Sequence, residues 1–230
     1  MLGIEYKNNS NRSTISVNDC FEVLTSDERI TLREGSSFLE FEKGETIIKQ
    51  GFVANNIMLI DRGVVKLDVT DDHKTTTVKL LSDGQFIGII CSFAHKNLSF
   101  SAEALENTRV EIIEMSTFQH LIQSNGSFAL LLIQHMSAMT SGLVHWMARL
   151  NSKHVEGALA IMLLEFCKIY KSYKFELPIT RVGLAKMLGY SKESLIKTLS
   201  KFNKDEILSI NDKEIEVLDL KRLGNIAEKG

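Results

Sequence analysis

The sequence predicts an α+β protein, in which an N-terminal antiparallel β-roll is followed by one long helix and a C-terminal winged helix-turn-helix. Three observations carry this prediction. Short strands punctuated by glycine fill residues 37–115, heptad-spaced apolar residues follow at 129–150, and two short helices around a glycine precede a hairpin. We expect a tail, short helices and β-roll over 1–126, the long helix over 127–150 and the winged helix over 151–230.

Composition and charge indicate a folded chain with one basic surface. The 230 residues are 44% hydrophobic and 24% charged, which excludes disordered and collagen-like classes. Residues 1–151 hold 13 Lys and Arg against 18 Asp and Glu, whereas residues 152–230 hold 14 against 11. Residues 180–204 hold six basic side chains and one acidic side chain. This basic segment is the first indication of a function, since a cationic patch on an acidic body favours a polyanionic partner.

Location follows from cysteine usage and from apolar run lengths. Cys20, Cys91 and Cys167 are odd in number and far apart, which favours free thiols in a reducing compartment over disulfides or an iron–sulfur cluster. The polar N-terminus lacks the apolar stretch of a signal peptide, and no apolar run approaches the roughly 18 residues of a membrane span. We therefore expect a cytoplasmic protein with no membrane partner.

The first module is predicted from turn and cap signals. Thr25 and Glu28 have capping-box spacing, so a helix is expected to begin there. Runs of four to eight residues rich in β-branched side chains follow, and Asp71–Lys74 is the expected tip of a hairpin. The turns between the runs are marked by Gly44, Gly51, Gly63 and Gly84. Such a series is typical of a small antiparallel barrel or jelly roll.

The long helix is predicted from a seam of apolar residues, after a short helix over Ser116–Gln123. From Ala129 the spacing alternates between three and four, which is the pattern of a two-helix interface. The seam that we expect to form a dimer consists of Leu132, Met136, Met139, Leu143, Trp146 and Leu150. The alternative is that this face packs on its own barrel. Both can hold on different faces of the helix, because it also carries Leu130, Leu131, Ile133, Val144 and Met147. We favour self-association, because so narrow a seam suits one partner helix.

The C-terminal segment has the pattern of a helix-turn-helix. Asn151 and Ser152 offer N-caps to a helix through Tyr170, and a short strand follows. Thr180 offers the next N-cap, and Gly189 stands where a tight turn requires positive φ. The inner side chains of the two helices are Leu184, Ala185 and Leu188 in the first and Leu195, Leu199 and Phe202 in the second. A hairpin around Asn211–Lys213 would form the wing.

Polar side chains on the second of these helices predict a DNA contact. Ser191 caps this helix, and its outward positions are Lys192, Glu193, Lys197, Ser200 and Lys201. A helix fits the major groove, where polar side chains reach base edges and lysines meet phosphates. The alternatives are an ordinary helical hairpin with solvated lysines, or a helix-turn-helix that has become a protein-interaction surface.

The segment ITRVGLAKMLGYSKESLIKTLSKFNKDEILSI resembles the winged helix of the Crp/Fnr family of bacterial transcription regulators. FEKGETIIKQG and NIMLIDRGVVKL are similar to the first motif of that family's cyclic-nucleotide-binding fold, and the resemblance covers about residues 18–222. It implies a homodimer that binds double-stranded DNA, with RNA polymerase as a further partner. It also implies base reading by Lys192, Glu193 and Lys197, and backbone contacts by Thr180, Arg181, Ser191, Ser200 and Lys201.

The same resemblance predicts a β-roll without the usual cyclic-nucleotide ligands. Members that bind a cyclic nucleotide use a glutamate and an arginine, but Ile89 and Phe100 (or Ser99) stand at those positions here. A buried cyclic phosphate would then lack a charged partner. The candidate pocket residues for another small-molecule effector are Ile89, Cys91, Phe100 and Ser101.

We predict no cofactor, no metal and no enzymatic activity. A haem-based effector site is the alternative, but Cys91 with His95, and the isolated His73, His120, His135, His145 and His154, are each more typical of surface or hydrogen-bonded side chains. The sequence has no P-loop, no G-x-S-x-G and no H-E-x-x-H motif. Ser92 and Ser141 lack any sequence-level partner that would make them nucleophiles.

Overall fold

The computed structural model describes residues 16–72, 74–94 and 97–230. These residues divide into two compact units, 16–142 and 143–230. The division falls inside the long helix, so this helix contributes its first part to the N-terminal unit and its last part to the C-terminal unit.

Two short helices begin the N-terminal unit, α1 (Val17–Glu22) and α2 (Ser26–Glu34). Both begin with a capping box, formed by Ser16 with Asp19 and by Thr25 with Glu28. The hydrogen bond that the Thr25 backbone N–H donates to Glu28, at 2.8 Å, lowers the pKa of that carboxyl. The helix start predicted at Thr25 is confirmed.

The β-roll consists of two antiparallel sheets. The first contains, in spatial order, β1 (Ser36–Phe41), β7 (Thr108–Glu114) and β3 (Asn56–Arg62), and the second contains β2 (Thr46–Ile48), β6 (Ser101–Ala104), β4 (Val65–Asp71) and β5 (Lys74–Leu81). An apolar core between the strands includes Ile60, Val65 and Val110, all fully buried. The predicted hairpin is confirmed by the pairing of Asp71 with Lys74, although His73 lies outside the described residues.

One segment of the β-roll differs from the prediction. Short strands are predicted throughout residues 37–115, but α3 (Ile89–Ala94) lies within this range. The reason is Gly88, whose φ of +68° turns the chain out of the extended conformation immediately before the helix.

Two further helices complete this unit, α4 (Met115–Ser124) and α5 (Gly126–Asn151). Phe118 and Phe128 bring them together with Phe86 in a second core, through edge-on ring contacts with centroids 5.6 and 5.9 Å apart. The short and the long helix were both predicted. The predicted cap at Asn151–Ser152 is wrong, because α5 runs through Asn151 and the next helix is preceded by His154.

Within the described residues, one helix segment, Gly126–Leu150, is long and apolar enough to cross a bilayer by length and composition alone. No apolar run of that length was expected, and this segment reaches it only with polar residues such as Gln134, His135 and Ser137 included. The helix has uncharged polar residues but no Asp, Glu or Lys, and its single Arg lies near its end at Arg149. Only 17% of its most apolar 18-residue segment is buried, so most of the surface of this helix is exposed in the single chain.

The C-terminal unit is built on α6 (Val155–Tyr170), which is buried along most of its length. Burial raises the pKa of the Cys167 thiol to about 11. A final helix, α9, was not predicted, and its Leu223 and Ala227 are fully buried on a helix that packs on α6. The elements are α6 (Val155–Tyr170), β8 (Lys174–Glu176), α7 (Arg181–Leu188), α8 (Lys192–Lys204), β9 (Leu208–Asn211), β10 (Glu214–Val217) and α9 (Leu220–Lys229), and the sheet order is β8–β10–β9.

Candidate nucleic-acid interface

The helix-turn-helix is formed by α7 and α8, and its turns are fixed by local interactions. The Thr180 hydroxyl accepts from the Gly183 backbone N–H at 3.0 Å, which starts α7. Gly189, with φ of +76°, ends this helix in the left-handed conformation. The Ser191 hydroxyl accepts from the Ser194 backbone N–H at 3.1 Å and starts α8. All three local signals act as predicted.

The two faces of α8 differ in the way that a groove-binding helix requires. Leu195, Leu199 and Phe202 are at most 3% exposed and hold the helix against its own unit. The proposed base-reading residues, Lys192, Glu193 and Lys197, all lie on the exposed face. Their side chains are therefore available to a partner, and their role in base reading stays a prediction.

The five residues predicted to contact the DNA backbone differ in whether their polar groups are already bound within the protein. The hydroxyls of Thr180 and Ser191 are engaged in helix caps, whereas Ser200 is exposed. The Arg181 guanidinium donates to the Asp212 carbonyl at 2.7 Å, and the Lys201 ammonium forms an ion pair with Glu156 at 2.6 Å. Arg181 and Lys201 would therefore each meet a DNA phosphate while already bound to another group of the protein.

Long-range contacts that the sequence does not reveal hold the wing and the turn. The Asn203 side-chain oxygen accepts from the Ile210 backbone N–H at 2.9 Å, which ties α8 to β9. The Tyr190 hydroxyl, in the turn, donates to the Lys153 carbonyl. Residues that are 37 positions apart carry no pairing signal in the sequence.

The cations of α8 provide the electrostatic part of the interface. In the part of the chain that the structure describes, Lys192, Lys197 and Lys204 form no ion pair, and all three are exposed. Unpaired ammonium groups along the exposed face of a helix attract a polyanion, whose counterions are released when it binds.

The long helix α5 presents a different apolar face from the one expected. Leu132 is buried in the core of its own unit, and Met136 and Met139 pack against the same core. Leu143, Trp146 and Leu150 are half-buried. A neighbouring stripe is open, with Leu130, Ile133, Val144 and Met147 between 47% and 60% exposed.

Two of the four candidate pocket residues are buried apolar side chains. Ile89 and Phe100 are 1% and 4% exposed, and a Cβ added at Gly88 would overlap the Phe100 ring. The Ser101 hydroxyl accepts from the Gln50 backbone N–H at 3.0 Å. The Cys91 thiol lies 3.6 Å from the Ser99 hydroxyl. Ile89 and Phe100 thus belong to two different apolar cores, and Ser101 and Cys91 each contact a neighbouring polar group.

The candidate metal and haem ligands are also dispersed. His73 and His95 lie outside the described residues. His135 is buried against Phe86, with ring centroids 6.1 Å apart. Among residues 16–72, 74–94 and 97–230, no group of three His, Cys, Asp or Glu side chains is arranged to hold a metal ion.

Comparison with known proteins gives two matches to protein families. Residues 38–125 match the family described as "Cyclic nucleotide-binding domain", and residues 157–226 match the "Crp-like helix-turn-helix domain". Together these two matches cover most of the β-roll and most of the C-terminal unit.

Two relatives are similar over most of their length. The "Transcriptional regulator SdrP" of Thermus thermophilus is 24% identical over 197 residues, which are 83% of this chain and 94% of the relative. The "Fumarate and nitrate reduction regulatory protein" of Vibrio cholerae is 26% identical over 194 residues, 81% of this chain and 76% of the relative.

The fold is also similar to that of solved structures. FixK2 from Bradyrhizobium japonicum superposes with a TM-score of 0.72 at 19% sequence identity, covering 83% of this chain and 96% of that protein. At this level of identity the similarity shows a shared fold.

Proposed function

Because this chain belongs to the Crp/Fnr family of DNA-binding transcription regulators, we propose that two copies form a homodimer that reads an inverted repeat with α8. The observation that carries the proposal is the division of α8 into a buried apolar face and an exposed face bearing Lys192, Glu193 and Lys197. Glutamate can accept from a cytosine amino group, and lysine can donate to guanine. The proposal assigns no catalytic role, places the protein with the chromosome in the cytoplasm, and keeps RNA polymerase as a further partner.

Selection from a random duplex library tests this proposal. Two recognition helices related by a two-fold axis reach successive major grooves about 34 Å apart. We therefore expect enriched sequences to be inverted repeats with half-site centres about 10 base pairs apart. Recovery of sequences that are no different from the input library would contradict the proposal.

We infer that the dimer forms through the exposed stripe of α5. Leu130, Ile133, Val144 and Met147 are four positions of a heptad seam whose two central positions are Ser137 and Thr140. Those two hydroxyls already donate to the carbonyls of Ile133 and Met136, at 2.7 and 2.9 Å. Both hydroxyls would therefore keep a hydrogen-bond acceptor if the stripe were buried against a second copy.

Lysines in the stripe are expected to prevent this dimer. In the Ile133→Lys, Val144→Lys double variant, an ammonium group would have to be buried at two levels of the seam, which is costly without a partner. We expect a monomer in sedimentation analysis at concentrations where the parent chain is a dimer.

The matched control is the double variant Gln134→Lys, His145→Lys. It changes exposed neighbours on another face of the same helix and adds the same charge. We expect it to remain a dimer. A dimeric Ile133→Lys, Val144→Lys variant would exclude this stripe as the interface.

We also infer that the β-roll acts as a scaffold and does not bind a cyclic nucleotide in the family's usual manner. The support is that Ile89 and Phe100, at the positions of the expected glutamate and arginine, are buried apolar side chains. An effector of another class, haem included, would need these side chains to move.

A further inference from the structure

One lysine of α8 is already neutralised within the chain. The Lys201 ammonium lies 2.6 Å from the Glu156 carboxylate, and the two side chains are 53% and 38% exposed. Among the lysines of α8, in the part of the chain that the structure describes, Lys201 is the one that forms an ion pair. Lys201 therefore differs from Lys192 and Lys197, although all three belong to the same basic surface.

The local structure favours this pair from both sides. Glu156 lies in the first turn of α6, where the helix dipole stabilises a negative charge. Lys201 lies in the last turn of α8, where the dipole stabilises a positive charge. Because α6 packs against α8, the ends of the two helices bring these side chains within reach of each other.

A carboxylate this close to an ammonium group resembles a DNA phosphate in charge and in hydrogen bonding. It satisfies the lysine, and its negative charge repels a phosphate that approaches the same site. We propose that Glu156 is an intramolecular competitor for the DNA backbone, which withholds Lys201 from phosphates and so lowers the affinity for duplex DNA. This inference rests on the proposed DNA-binding function.

Removing the charge of Glu156 is expected to strengthen DNA binding. In Glu156→Gln, Lys201 becomes free to contact a phosphate in each half of the dimer. Each new phosphate contact steepens the plot of log affinity against log salt by about 0.9, so the slope is expected to steepen by about 1.8. At low salt the affinity for a non-specific duplex is expected to rise roughly tenfold.

Glu165→Gln is the matched control, because it makes the same charge change on the same helix. Glu165 pairs with Lys168 at 3.1 Å, within α6. We expect this variant to keep the salt slope of the parent chain. The double variant Glu156→Gln, Lys201→Gln is expected to lose the gain, because the freed ammonium group is then absent.

The measurement is a fluorescence anisotropy titration of one non-specific duplex with the full chain at several salt concentrations. If Glu156→Gln binds like Glu165→Gln, or more weakly than the parent chain, the competitor role is overturned. A weaker complex would mean that Glu156 holds Lys201 in place for a phosphate. If the parent chain binds no duplex at any salt concentration, the proposed function fails as well, so the two failures are distinguishable.

Discussion

Reversing the charge of Lys192 and Lys197 together is expected to abolish binding to the selected DNA sites and to leave the fold intact. Both side chains lie on the exposed face of α8, so neither supports the core. A lost base or phosphate contact costs about 1–3 kcal/mol, and a homodimer loses four of them. The affinity in gel-shift or anisotropy titrations is therefore expected to fall about 1,000-fold or more.

The folded state should tolerate this change. Lys192 is the first residue of α8, where a glutamate is favoured by the helix dipole. The control is Lys43→Glu, Lys49→Glu, which makes the same charge change at exposed positions of the β-roll. If Lys192→Glu, Lys197→Glu binds the selected sites as tightly as this control, α8 is not the recognition helix.

Replacing Gly88 by alanine is expected to cause a large loss of stability in the β-roll. Gly88 has a φ of +68°, and a Cβ there would overlap the Phe100 ring. The left-handed conformation costs a non-glycine residue about 1–2 kcal/mol, and overpacking of a core costs about 1–3 kcal/mol more. We expect the free energy of unfolding of the β-roll, measured in urea, to fall by about 2–5 kcal/mol.

Gly84→Ala separates these two contributions. Gly84 has a φ of +72°, but nothing lies within 4 Å of a Cβ at that position. This variant should therefore show only the backbone contribution, about 1–2 kcal/mol. In a Phe100→Leu background, Gly88→Ala should cost less than in the parent chain, because the ring is absent. Equal effects of Gly84→Ala and Gly88→Ala would mean that Phe100 does not fill the expected pocket.

Local signals in the sequence predicted most of the fold. Thr25, Thr180 and Ser191 cap helices as expected, and Gly189 ends α7. Each of these interactions joins residues at most four positions apart, so the sequence contains both partners. The strands were located by β-branched runs between glycine turns, and the inner face of α8 by its helical apolar spacing, for the same reason.

Local signals could not predict interactions between residues that are far apart in the sequence. The Glu156–Lys201 ion pair joins residues 45 positions apart, and the expected backbone role of Lys201 took no account of it. Helix α5 carries apolar residues on two adjacent faces, and spacing alone could not decide which one packs on the β-roll. The burial of Leu132 and the exposure of Ile133 resolve that choice.

Methylation interference on a selected DNA site tests most directly whether α8 lies in the major groove. One reagent methylates guanine at N7, in the major groove, and adenine at N3, in the minor groove. We predict that N7-methylguanine blocks binding in two clusters about 10 base pairs apart, one in each half-site. Interference by N3-methyladenine alone would contradict this placement of the helix.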